Sequence, residues 1–223
     1  MGLVTAELLP ISLLTPIAAG LRVQPSAAGQ AVTVTSLAAL GASLLTAVVT
    51  RRLDRRTVLV VLTAVSVAGN TIVGFASTYA MLLLGRVLLG LELGGFWSMA
   101  AAVTMRLVPS ALIPRALSIV FAGVSVAMAV SAPLGTYLGS LIGWRGVFLA
   151  AAALSALIMA WQLMTLPKME PRRQSQLTTL LRLLGRRQFI AGLFAMMLAF
   201  GGHFAFFYLH AAVSRSLGRH DGG

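Results

Sequence analysis

Three ionisable residues, Glu7, Arg86 and Glu92, each lie inside a long apolar run. A charge at mid-bilayer costs about 2.5–3.5 kcal/mol on insertion scales, so such residues turn toward a bundle interior or a wet cavity and find partners there. Low dielectric favours the protonated form of a carboxyl group, whereas a neighbouring guanidinium favours the ionised form. That competition lets a carrier take up and release a proton. Glu92 follows Arg86 by six residues, about 240° around a helix, so each should pair with another span rather than with the other. The same residues also fit a purely structural role as bundle pairs. Pro10 and Pro16 interrupt the run that holds Glu7, which predicts a kinked helix beside that carboxylate. Arg86, Gly90 and Gly94 fall one turn apart on one face, and small residues at that spacing let helix backbones approach closely.

Other chemistry finds no residues to carry it. The chain has no Cys, which excludes a disulfide framework, a thiolate metal site and a cysteine nucleophile. No phosphate-binding glycine loop, HExxH helix or nucleophile elbow occurs. His203 and His210 have no ligand set around them, so no metal and no cofactor are expected, and no enzyme. With no nucleotide site, transport would draw on an ion gradient.

These residues need membrane helices to position them. Of 223 residues, 58% are hydrophobic and 10% charged, against about 25% charged in soluble domains. Apolar blocks at about 1–19, 31–50, 57–76, 80–104, 116–138, 146–166 and 189–209 are each long enough to cross ~30 Å of hydrocarbon. The net charge of +12 sits mostly in short connections, which is a topogenic pattern rather than a nucleic-acid surface. Arg and Lys number four, two and six in the second, fourth and sixth connections, against one, zero and one in the first, third and fifth. The even connections, and with them the N-terminus, are therefore expected to be cytoplasmic. Trp144 and Trp161 fit interfacial belts; Phe96 and Trp97 fit either a belt or a stacking wall for a flat substrate.

The expected fold is an all-α membrane protein: a six-helix half at 1–166, a basic cytoplasmic linker at 167–188, a seventh transmembrane helix at 189–209 and a polar tail at 210–223. The absence of a leader before span one, and the polar Gly-ended tail, read as a chain truncated relative to a complete carrier. Its partners are lipid, protons, a small-molecule substrate and a missing C-terminal half.

Three stretches carry a family resemblance: TRRLDRR at 50–56, GRVLLGLELGG at 85–95 and SAPLGTYLG at 131–139. In order, they resemble the signature motifs of the drug:proton antiporter branch of the major facilitator superfamily. Residues 5–208 are similar to the N-terminal half of its bacterial purine ribonucleoside exporters, through TAELLPISLLTPIA, LLLGRVLLGLELGGFWSMAAAVTMRLVP, LIGWRGVF and FGGHFAFF. Thr50 and Arg51 stand where the loop pattern has glycine, and Ala132 where the span-five pattern does. The resemblance implies a twelve-span, proton-driven exporter of the bacterial inner membrane that exposes a central cavity to each side in turn. It implies a gate latch at Asp54, Arg55 and Arg56, and proton coupling at Arg86; Glu7 and Glu92 are expected to share that role because each places a carboxyl inside an apolar span. It also implies an antiporter hinge at Pro133 and Gly135, to which Gly139 one turn further is joined. A substrate cavity near Thr5, Phe96 and Trp97 is expected from the residues themselves, a polar group in span one and flat rings beside the span-four glycines. Purine ribonucleosides are the expected cargo. A sugar or drug exporter of the same fold, and a non-transporting fragment or half needing a partner, stay open as alternatives.

Overall fold

The computed structural model describes residues 17–18, 20–21, 23–50, 53–169, 185–199 and 201–202. Every regular element among them is helical: α1 Pro25–Val49, α2 Arg55–Gly74, α3 Tyr79–Leu107, a 3₁₀ turn Ser110–Leu112, and α4 Ile113–Thr165. A further helix, α5, covers Arg187–Ala199. Helices follow from the solvent: hydrocarbon offers no partner to a backbone N–H or C=O, so each segment must satisfy its own. Arg55–Gly74, Tyr79–Leu107, Ser110–Ser131 and Pro133–Thr165 are long and apolar enough to cross a membrane.

The helix starts are written locally. Pro25 opens α1, where its missing N–H would have no partner in any case. Asp54 caps α2 by accepting from Arg56 N–H at 2.8 Å, and Thr78 Oγ1 caps α3 by accepting from Met81 N–H at 3.3 Å. The Tyr79 hydroxyl donates to the Ala27 carbonyl at 2.7 Å, which ties the start of α3 to the start of α1.

Several observed boundaries depart from the sequence reading, and the helix expected over 31–50 already begins at Pro25. The helix expected over 80–104 runs from Tyr79 to Leu107. The connection expected over Gly139–Arg145 is absent as a loop: α4 stays helical through Pro133 and breaks at Gly143, with φ 71° and ψ 165°. A single residue makes the turn because glycine enters the left-handed region without the Cβ clash that other residues meet. Spans five and six are thus two rods, 113–142 and 144–165, sharing one break.

Polarity is inverted relative to a water-soluble domain. Leu37, Leu40, Leu44, Ile119, Leu157, Trp161 and Met164 are exposed, while Arg86, Glu92, Ser66, Asn70, Ser131 and Ser155 are buried. An outward apolar surface around inward polar groups is the arrangement lipid requires, and the protein is a multi-pass membrane protein. Two apolar clusters bracket the interior. One gathers Ile17, Ala31, Val73, Ala76, Leu82, Leu89, Trp144, Val147 and Phe148; the other gathers Val58, Leu59, Met99, Val103 and Met169. On α2 they are centred at Val73 and Val58, roughly 22 Å apart by helix rise, with buried Thr63, Ser66 and Asn70 between.

Trp144 does not face outward as a belt residue would. It is buried in the first cluster, with the Arg145 guanidinium 4.3 Å from its ring centroid. Arg145 Nη2 also donates to the Ala76 carbonyl at 2.9 Å, so this pair joins the start of the sixth span to the end of the third. Trp161 is exposed. The chain divides into two compact units, Met1–Arg173 and Gln174–Gly223. The seam falls inside the basic linker, and α5 is the described helix of the second unit.

Candidate functional site

Arg86 is held by the geometry of α3. Its side chain is 1% exposed, and its guanidinium carbon lies 5.1 Å from the ring centroid of the fully buried Phe148 on α4. A desolvated cation over an aromatic face gains about 2 kcal/mol, so Phe148 offsets much of the cost of burying the charge. Gly90 and Gly94 continue the same face and bring α1 against α3. A Cβ on Gly90 would run into the Thr35 carbonyl oxygen, and one on Gly94 into the Ala39 carbonyl oxygen. Those glycines therefore set the backbone separation that closes the bundle around Arg86.

Glu92 looks elsewhere, as the 240° offset requires. It is 7% exposed, and the Ser66 hydroxyl on α2 faces it. Ser66 Oγ lies 3.3 Å from Ser155 Oγ on α4, and Asn70 Nδ2 donates to the Ser66 carbonyl at 3.0 Å. One turn earlier, Thr63 Oγ1 donates to Gln162 Oε1 at 2.9 Å. The sequence reading missed this ladder because neutral polar residues do not stand out in an apolar run. A signal was present: Thr63, Ser66 and Asn70 recur at i, i+3 and i+7, one stripe of a helix.

The charged loop is engaged by its own half of the molecule. Asp54 caps α2 and also accepts from Met169 N–H, at 3.0 Å to Oδ1 and 3.1 Å to Oδ2. Arg55 N–H donates to the Met169 carbonyl at 3.4 Å, and Arg56 Nη2 donates to the Leu163 carbonyl at 2.7 Å. The Met169 side chain is buried among Val58, Leu59, Met99 and Val103. The segment that leaves span six is therefore fastened to the start of span three. Met169 is a second residue that sequence reasoning missed, because a backbone donor 115 residues away leaves no mark in the sequence.

Phe96 and Trp97 form an edge-to-face pair with centroids 6.0 Å apart. Trp97 also stacks on Phe121 of α4, with centroids 6.4 Å apart and planes 22° from parallel. Both Trp97 and Phe121 are exposed, so the pair presents a flat aromatic surface where the fourth and fifth spans meet. Pro133, Gly135 and Gly139 all lie within α4; Pro133 is exposed and Gly135 buried. Thr5 and Glu7 lie outside the described residues, as do Arg51, Arg52, His203 and His210.

The amino-acid sequence that carries these features is similar to that of known proteins. Residues 3–220 match the Major Facilitator Superfamily. The chain belongs to the Major Facilitator Superfamily. Among curated members, the purine ribonucleoside efflux pumps NepI of Salmonella typhimurium and of Escherichia coli O6:H1 are 45% and 46% identical to it over 207 residues. Each alignment covers 92% of this chain and 52% of the relative, so the chain spans about half the length of the curated relatives it matches. Set in a superfamily of membrane carriers, Arg86 and Glu92 are ionisable groups held inside the half-bundle, and the Asp54 loop is a fastening at one of its ends.

Proposed function

We propose that the chain forms the N-terminal six-helix half and seventh helix of a proton-coupled exporter of small polar metabolites, with purine ribonucleosides as cargo. It works by alternating access in the bacterial inner membrane, N-terminus in the cytoplasm, and performs no covalent chemistry. The observation that carries this reading is Arg86, a cation 1% exposed within an apolar bundle. A charge so costly to place is retained for ion or substrate handling. The cargo is supported by the names of the relatives and by the Trp97–Phe121 stack, whose flat faces suit a nucleobase.

Glu7, Arg86 and Glu92 handle the coupling proton. Asp54, Arg55 and Arg56 form the gate latch, with Pro133, Gly135 and Gly139 as the antiporter hinge. Thr5, Phe96 and Trp97 line the cavity, and a C-terminal half supplies its other wall. In everted vesicles bearing the chain extended to the length of its relatives, an imposed proton gradient should drive accumulation of radiolabelled inosine. Arg86→Ala and Glu7→Gln should each abolish the gradient-driven part. Unchanged accumulation in both variants would remove the assignment, and accumulation of a sugar in place of inosine would reassign the cargo.

A further inference from the structure

Glu92 is buried away from Arg86, so it needs its own means of being accommodated in two protonation states. An ionised carboxylate needs donors; a protonated one needs an acceptor for its O–H. Burial makes either group expensive to leave unsatisfied, since a missing hydrogen bond there costs about 1–3 kcal/mol. What faces Glu92 from α2 is the Ser66 hydroxyl, 2% exposed. A hydroxyl rotates, and can donate or accept without moving its heavy atom. Ser66 has a second hydroxyl beside it, Ser155 at 3.3 Å, in a pair where either atom can be the donor.

We propose that Ser66 is the positioning residue for Glu92, its hydroxyl reversing direction with the protonation of that carboxyl. When Glu92 is ionised, Ser66 donates to it and accepts from Ser155. When Glu92 carries a proton, the acid donates to Ser66 Oγ and Ser66 donates to Ser155. One O–H bond forms or breaks, at Glu92, with the proton exchanged with water; the two serines only rotate. Asn70, 1% exposed, anchors the relay through its bond to the Ser66 carbonyl and its Nδ2, 3.4 Å from Ser66 Oγ. Its Oδ1 is buried with no hydrogen bond among the described residues, a further acceptor beside Ser66.

Besides the chain's amino-terminal charge, which also acts on Glu92, the charges on the packed helices lie apart from this group. The sequence of α1 contains no ionisable residue, and α2 carries only Arg55 and Arg56 in its first turn, about 15 Å along the axis from Ser66. On α4 the ionisable residues are Arg115, Tyr137 and Arg145, the last bound to Ala76, and the hydroxyl beside Ser66 is that of Ser155. On α3 itself Arg86 packs on Phe148, while Tyr79 and Arg106 lie in its terminal turns.

The inference rests on Glu92 taking up the coupling proton in the function proposed above, and its test reads the carboxyl group without requiring transport. Infrared spectra of the purified chain in lipid vesicles, titrated from alkaline to acid pH, should show a carboxylic-acid carbonyl band that Glu92→Gln removes. Ser66→Ala should move that band to higher wavenumber, as the acid loses its acceptor, and displace its titration midpoint. Ser66→Thr, which keeps the hydroxyl, should restore both. Ser155→Ala leaves Ser66 in place and should displace the midpoint less; it serves as the reading should Ser66→Ala fail to assemble. The proposal is overturned by a band and midpoint unaltered in these alanine variants, or by the absence at every pH of a band that Glu92→Gln removes. Neither outcome depends on whether inosine is exported.

Discussion

At the scale of single residues, a charge is meaningful here because lipid makes it conspicuous. Arg86 and Glu92 were legible in the sequence for that reason, and so was their divergence, since six residues of helix turn them apart. Their partners were not legible: Phe148 is one of ten phenylalanines and Ser66 a common residue, and only packing selects them. Phe148 fills the space under the Arg86 guanidinium, so Phe148→Ala should cost about 3–5 kcal/mol. A lowered Tm of the purified chain in detergent, with a smaller loss for Phe148→Leu, would bear this out; an unchanged Tm for the alanine variant would refute it. Asp54 serves both the first turn of α2 and the Met169 backbone. Asp54→Ala should remove a cap contributing roughly 1 kcal/mol and release the strap, so trypsin should cut after Lys168 faster than in the unaltered chain. Equal cleavage rates would show that the strap is held by other contacts.

At the scale of elements, the lengths of the spans were legible because a bilayer imposes a minimum, and apolar runs bounded by arginines report it. Connections were less legible. Gly139, Ser140 and Gly143 have the composition of a loop, yet the helix passes through the first two and turns only at Gly143. Composition marks where a helix can break; the packing of Trp144, Val147 and Phe148 into the core decides where it does. The glycines divide on the same principle. Gly94 lies against the Ala39 backbone, whereas Gly41 has nothing within 4 Å of an added Cβ. Gly94→Val should therefore force α1 and α3 apart at about 1–3 kcal/mol, while Gly41→Ala should be neutral or stabilise by about 0.5–1 kcal/mol through helix propensity. Thermal melts of the two variants should move in opposite directions or diverge clearly. A tolerant Gly94→Val would mean that the close approach of the two helices is not needed.

At the scale of the whole molecule, a polar ladder and a buried arginine stand inside a bundle whose outer surface is leucine, isoleucine and methionine. This inversion was readable from composition, and the motifs at 50–56, 85–95 and 131–139 pointed to the superfamily to which the chain belongs. The joining of the 167–169 segment to the start of α2 was not readable, because it depends on a backbone N–H and a buried methionine far along the chain. The central claim is that cargo and protons move in exchange. It is tested most directly by recording the internal pH of everted vesicles, acidified inside, that carry the chain extended to the length of its relatives, as guanosine is added outside. The account predicts an immediate rise in internal pH that requires guanosine and disappears in Arg86→Ala. Guanosine entry without any proton release, or a rise that persists in Arg86→Ala, would contradict it.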